Sequence, residues 1–174
     1  MDRAIRDRAR GVLGGIKKRC YDTNNESYPM YGGRGVTVCD EWLKRGVFLD
    51  WYCEHYYDIE NEYMCVDKDI IGDGMCYSPE NCIIVPTRIN NLFVHKSNDD
   101  LRGLQLVGKR YQVKVRNPIQ GGENQYCGTY DSMETASKVY NKCKEEIIKG
   151  VAEEYKAKLP FKIYDALVTF KFRG

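Results

Sequence analysis

The sequence predicts an α+β protein built in two parts, residues 1–97 and 98–174. Three patterns carry that expectation. Residues 63–94, YMCVDKDIIGDGMCYSPENCIIVPTRINNLFV, read as strand, tight turn, strand and helix. Residues 109–116, KRYQVKVR, alternate side chains with a period of two, as a strand with one buried face does. Ala136, Val139, Tyr140, Cys143, Ile147 and Val151 then recur at helical spacing, which gives that strand a helix to pack on.

Taken in order, residues 2–19 read as a helix with Ala9, Leu13 and Ile16 on one stripe and Arg3, Arg6, Arg10, Lys17 and Lys18 exposed. Gly11, Gly14 and Gly15 each weaken it by roughly 1 kcal/mol relative to alanine. Such a helix either lies along DNA phosphates or is a solvated basic face. A polar loop, Tyr21 to Tyr28, leads to Tyr31-Gly32-Gly33-Arg34-Gly35 and a strand over Val36 to Cys39. Glycines around one arginine allow a backbone to approach a phosphate, with Arg34 as the charge. Asp40 opens a helix, and Trp42, Leu43, Val47, Phe48, Trp51 and Tyr52 form a bulky apolar set for the core. An acidic, tyrosine-rich run, Glu54 to Glu62, follows.

Within residues 63–94, Met64 to Ile71 is an apolar run with charges set into it, and Gly72-Asp73-Gly74 is a turn signal. Cys82 to Val85 reads as a buried strand, Pro86 ends it, and Thr87 can cap a helix carrying Arg88, Asn90 and Asn91. An acid on the first strand and an amide on the helix suit one Mg²⁺ or Mn²⁺, which takes a few hard oxygen ligands and keeps waters and phosphate oxygens otherwise. Asp67 supplies a carboxylate, Asn90 a side-chain carbonyl, and Asn81 can pin the loop. The segments VDKDI, SPENC and VPTRINN resemble the HNH (ββα-metal) nucleases, most closely the homing endonucleases of phages, and RCYDTNNESYPMYGGRGVTVCDEW resembles a segment upstream of that motif in phage HNH proteins. The resemblance implies a ββα-metal module in which Asp67 and Asn90 hold the metal and Asn81 orders the loop. Lys68 stands where that family has its general-base histidine. A lysine is cationic at neutral pH unless burial lowers its pKa. Lys68 can therefore stabilise phosphate charge while another group, with His95 and Tyr77 as nearby candidates, takes the proton.

His95 to Asp100 is polar and without period, and the boundary between the parts is set there. In the second part Tyr111, Val113 and Val115 fall on one strand face and Arg110, Gln112, Lys114 and Arg116 on the other. Asn117-Pro118 and Gly121-Gly122 mark turns, Gln125 to Tyr130 reads as a strand, and Asp131 or Ser132 caps the helix. A helix on one face leaves the basic face free, and such a ribbon can enter the DNA major groove. The pieces RGLQLVGKRYQVKV and YCGTYDSMETASKVYNKCKEE resemble the three-stranded DNA-binding domain of plant ethylene-response factors, which is often fused to phage HNH nucleases. That resemblance implies DNA contacts from Arg102, Arg110, Lys114 and Arg116, and Lys109 at the head of the same run joins them. The tail, Leu159 to Phe172, is too apolar to be free and is expected to dock as a short helix and strand.

Composition narrows the classes. With 43% apolar and 30% charged residues the chain is globular rather than disordered. No apolar run approaches the length of a membrane span, and the charged N-terminus has no secretory core. An intracellular protein is expected, in the host bacterial cytoplasm if phage-encoded, with its eight cysteines reduced. No CxxC occurs; buried free thiols are the favoured reading, and a structural zinc built from Cys20, Cys39 and two cysteines of residues 63–94 is the alternative. Net charge is only +2, but residues 1–19 and 101–116 are basic and residues 40–62 acidic, which predicts basic faces for a polyanion.

The expected function is a DNA endonuclease acting on double-stranded DNA with one divalent metal per site. A monomer would nick one strand and a homodimer could cut both. Arg34, Arg88 and Lys68 would meet phosphate. The rival is a DNA-binding protein on the same scaffold without catalysis, a repressor or architectural factor, which Lys68 favours and Asp67, Asn81 and Asn90 oppose.

Overall fold

The computed structural model describes residues 3–94 and 103–172. Arg102, His95 and the expected boundary at 97/98 lie outside the described residues. The chain is mixed α and β and gathers into two compact units, Met1–Phe93 and Val94–Gly174.

The first unit begins with α1 (Arg3–Tyr21), which buries Ala9, Ile16 and Cys20. Gly11 and Gly14 face open space, so they lower helix propensity without serving packing. The glycine loop is a 3-10 turn, Gly32–Arg34. A Cβ on Gly32 would stand 2.0 Å from the Cys20 carbonyl oxygen, so the close approach this glycine permits is to the end of α1 and not to a phosphate. The predicted strand after it shortens to β1 (Thr37–Val38). Next come α2 (Asp40–Leu43) and α3 (Val47–His55), the latter packed on α1. Trp42 is fully buried, with Phe48 edge-on at 4.8 Å and Trp51 at 4.6 Å between ring centroids. This aromatic cluster anchors a core that also takes in Val38, Met64, Val66 and Ile84.

β2 (Met64–Asp67) pairs antiparallel with β4 (Ile83–Pro86), Met64 opposite Pro86 and Asp67 opposite Ile83. The tight turn expected between them is not formed. Instead residues 68–82 make a long excursion in which β3 (Cys76–Tyr77) pairs in parallel with β1, Thr37 beside Cys76 and Val38 beside Tyr77. A parallel partner cannot come from the adjacent strand of a hairpin, so the loop must travel to an earlier part of the chain. α4 (Thr87–Asn90) is a single turn packed on β2 and β4. Thr87 is not its cap. Pro86 takes the extended backbone of that position, and Thr87 lies inside the helix. The Thr87 hydroxyl and amide both donate to the Tyr63 carbonyl, at 2.9 and 2.7 Å, and tie the helix start to the foot of β2.

The second unit is an antiparallel sheet in the order β5 (Leu104–Val107), β6 (Arg110–Asn117), β7 (Glu123–Tyr130). Val113 and Val115 of β6 are buried and Lys114 and Arg116 exposed, as the alternation predicts. A bulge interrupts the β6–β7 pairing after Val113, where Gly128 takes φ 111°. α5 (Met133–Glu154) covers the face of Val113 and Val115 with Ala136, Ile147, Ile148 and Val151, and Ser132 caps it by accepting the Thr135 amide at 3.1 Å. The tail docks on α5 as α6 (Phe161–Val168), burying Ile163 and Leu167. The strand expected after it does not form among the described residues. The Lys171 ammonium and the Phe172 amide bind the Glu145 carboxylate instead, at 2.6 and 3.0 Å.

Candidate metal and nucleic-acid site

Asp67 ends β2 and is only 3% exposed. Its Oδ1 accepts the backbone amides of Asp69 and Ile70, both at 2.8 Å, so the carboxylate itself turns the chain out of the strand. Burial pushes its pKa up to about 6, and the nearby Asp69 charge adds to the rise against the two amide bonds. Among the described residues Asp67 makes no ion pair. The adjacent Lys68 ammonium is turned to Asp69 instead, 2.9 Å from Oδ1 and 3.1 Å from Oδ2. A buried carboxylate without a counter-cation is costly unless something cationic completes it.

Lys68 is 6% exposed and lies over two aromatic rings, 5.4 Å from the Tyr31 centroid and 5.7 Å from that of Tyr77. Arg19, from the last turn of α1, lies over the same rings at 5.3 Å each, and its Nε donates to the Tyr77 hydroxyl at 3.0 Å. Burial drives the Tyr77 hydroxyl above its ordinary range, with Arg19 opposing. A buried phenol that already accepts an arginine hydrogen bond is poorly suited to take a proton from water.

Asn81 holds the excursion closed. Its side-chain amide donates to the Cys76 carbonyl at 3.3 Å and its backbone amide to the Ser78 carbonyl at 3.3 Å. Gly72 lets the loop pass close beneath it, for a Cβ there would lie 2.5 Å from the Lys68 carbonyl oxygen and 2.8 Å from the Asn81 Cβ. Asn90 is half-buried at the end of α4, on an element packed against β2, and Arg88 is half-buried two residues earlier. Arg34 is exposed in the glycine loop.

The hard oxygen donors of Asp67 and Asn90 suit a small divalent ion that keeps most of its water. Among the described residues no three of histidine, cysteine, aspartate and glutamate are grouped to hold a metal. Burial raises the thiols of Cys20, Cys39 and Cys82, the last to about 12, so they stay protonated in the metal-free protein.

In the second unit Lys114 and Arg116 stand on the uncovered sheet face, with Tyr126, 58% exposed, paired across from Lys114. Arg110 shares that face, but its guanidinium is engaged with Asp131 at 2.7 Å and the Thr129 carbonyl at 3.0 Å. Lys109 is exposed in the turn before β6. Asp69, Tyr31 and Arg19 were not singled out by sequence. Asp69 is masked by its neighbour Asp67, and the stacking of Arg19 depends on a contact between residues 58 apart in sequence.

Among the described residues no helix is long and apolar enough to cross a membrane. Comparisons with family models, with curated proteins and with solved structures found no match.

Proposed function

We propose that this protein is a DNA endonuclease of the HNH type, cutting phosphodiester bonds of double-stranded DNA inside a bacterial cell with one Mg²⁺ or Mn²⁺ per site. The observation that carries the reading is Asp67, a buried carboxylate at a strand end that makes no ion pair among the described residues, on the element against which the Asn90 turn packs. Asp67 and Asn90 would hold the ion, which when bound stabilises charge on the scissile phosphate and the leaving oxygen. Asn81 keeps the excursion in shape around Asp67. Arg34 and Arg88 meet phosphate near the cut, and Lys114, Arg116 and Lys109 grip the duplex at the second unit, where Tyr126 adds an aromatic contact.

The binding-only alternative draws on a specific feature. The position expected to hold a general base carries Lys68, and that ammonium is spent on Asp69. A supercoiled plasmid incubated with Mg²⁺ or Mn²⁺ separates the two. Relaxed or linear product from wild type, absent in EDTA and absent in Asp67→Ala and Asn90→Ala, is the expected result. Retarded but uncut DNA under every metal, on plasmids carrying the source genome, would overturn the nuclease reading in favour of a repressor or architectural role.

A further inference from the structure

Arg19 carries no DNA role in the proposed function, yet its guanidinium is held in place beside the Asp67 excursion. Two tyrosine rings lie against it at 5.3 Å each, and its Nε is fixed on the Tyr77 hydroxyl at 3.0 Å. That leaves the two Nη atoms, which have no hydrogen-bond partner among the described residues. A guanidinium fixed through Nε beside two aromatic rings presents those remaining donors as a fork, the geometry that meets two oxygens of one phosphate.

The surroundings favour an anion. Lys68 lies over the same two rings, so two cations share one aromatic slot, and among the described residues the ion pair there, to Asp69, goes to Lys68 and not to Arg19. The rings supply attraction from their faces without neutralising charge. Holding Arg19 in place before DNA arrives removes the rotamer entropy that a free arginine loses on binding. Tyr77 belongs to β3 and Lys68 directly follows Asp67, so the fork is tied to the excursion that Asp67 starts.

We infer that Arg19 is a phosphate-binding residue of the site, a preformed guanidinium fork clamped by Tyr31 and Tyr77 that grips a DNA phosphodiester beside the proposed metal position. This rests on the DNA reading of the first unit, and not on cleavage. It assigns to the end of α1 a specific role in place of a diffuse basic face.

Binding of a labelled duplex in EDTA, titrated over salt concentration, tests it. Arg19→Ala should weaken binding about tenfold and lower the slope of log affinity against log salt by about one. Arg19→Lys should keep the slope, because the charge is kept, but recover only part of the affinity. Tyr77→Phe keeps the ring and removes the hydroxyl that fixes Nε, so affinity should fall with the slope unchanged. Near-UV circular dichroism checks that each variant is folded; should Arg19→Ala unfold, the lysine and phenylalanine variants carry the test. A folded Arg19→Ala with wild-type affinity and slope would overturn the assignment, and full affinity in Arg19→Lys would overturn the fork. If wild type binds in this way but never cuts plasmid in Mg²⁺ or Mn²⁺, the nuclease reading fails while Arg19 stands. Absence of DNA binding by wild type would overturn both.

Discussion

Replacing Asp67 by asparagine should stabilise the metal-free first unit at neutral pH and abolish the proposed cleavage. Burial lifts the Asp67 pKa from 3.8 to about 6, so the ionised side chain is less favourable in the folded protein than in the unfolded chain. That difference corresponds to about 3 kcal/mol. Its sign follows from proton binding. Between pH 3.8 and about 6 the folded chain holds a proton that the unfolded chain has released, so stability falls as pH rises through this window and stays low above it. Asparagine does not titrate, and its Oδ1 can still accept the Asp69 and Ile70 amides. Any fixed cost of burying its NH₂ group is independent of pH. The stability of Asp67→Asn minus that of wild type, measured by denaturant unfolding in EDTA, should therefore rise by about 2 kcal/mol from pH 4 to pH 7.5, on the order of 10 °C in the midpoint of that unit. Adding Mg²⁺ at pH 7.5 should stabilise wild type far more than the variant, because the proposed ion site of Asp67 and Asn90 loses its one negative charge in Asp67→Asn. A difference flat across pH would show that Asp67 is not buried as an uncompensated acid. Equal Mg²⁺ effects on both proteins would remove it from the metal site.

Three further outcomes are expected. Lys68→Met should cost about 1–2 kcal/mol, less than a fully buried pair because Asp69 is partly in water, and a cycle with Asp69→Asn should show coupling of about 0.5 kcal/mol or more; additive effects would deny the ion pair. Gly32→Ala should destabilise by more than 1 kcal/mol, since its Cβ would collide with the Cys20 carbonyl, whereas Gly11→Ala on the open side of α1 should gain about 1 kcal/mol, both read from thermal midpoints. Lys114→Ala should lower the salt slope of DNA binding by about one, while Arg110→Ala should lower it less, because Asp131 already neutralises that guanidinium; equal effects would mean the Arg110–Asp131 pair opens on DNA.

What sequence discloses here is local. The alternation around Val113 and Val115 places β6 with its faces correctly assigned, and the stripe from Ala136 to Val151 gives α5, because both periods are printed in consecutive residues. Of the apolar set expected as core, the aromatics Trp42, Phe48, Trp51 and Tyr52 are buried, whereas Leu43 and Val47 stay exposed. The excursion of residues 68–82 is not legible, because a two-residue parallel pairing of β1 with β3 leaves no pattern in either segment. Gly72-Asp73-Gly74 is a true turn signal, but it turns the chain within the excursion and does not close a hairpin. Asp67, Asn81 and Asn90 were legible as candidates from residue type and spacing. That Lys68 turns to Asp69, and that Arg19 joins it over Tyr31 and Tyr77, depends on side-chain packing between α1, the glycine loop and β3, which no window of sequence contains.

The pairing of β3 with β1 makes the candidate site poorly portable. A fragment of residues 63–94 would carry Asp67, Asn81 and Asn90 yet leave Cys76 and Tyr77 without the strand they complete, and Tyr77 without Arg19. Such a cassette could not be grafted onto another scaffold with its loop shape preserved. The smallest transplantable piece runs from α1 to α4, and recombination that broke the chain between β1 and β2 would separate the two halves of one loop's foundation.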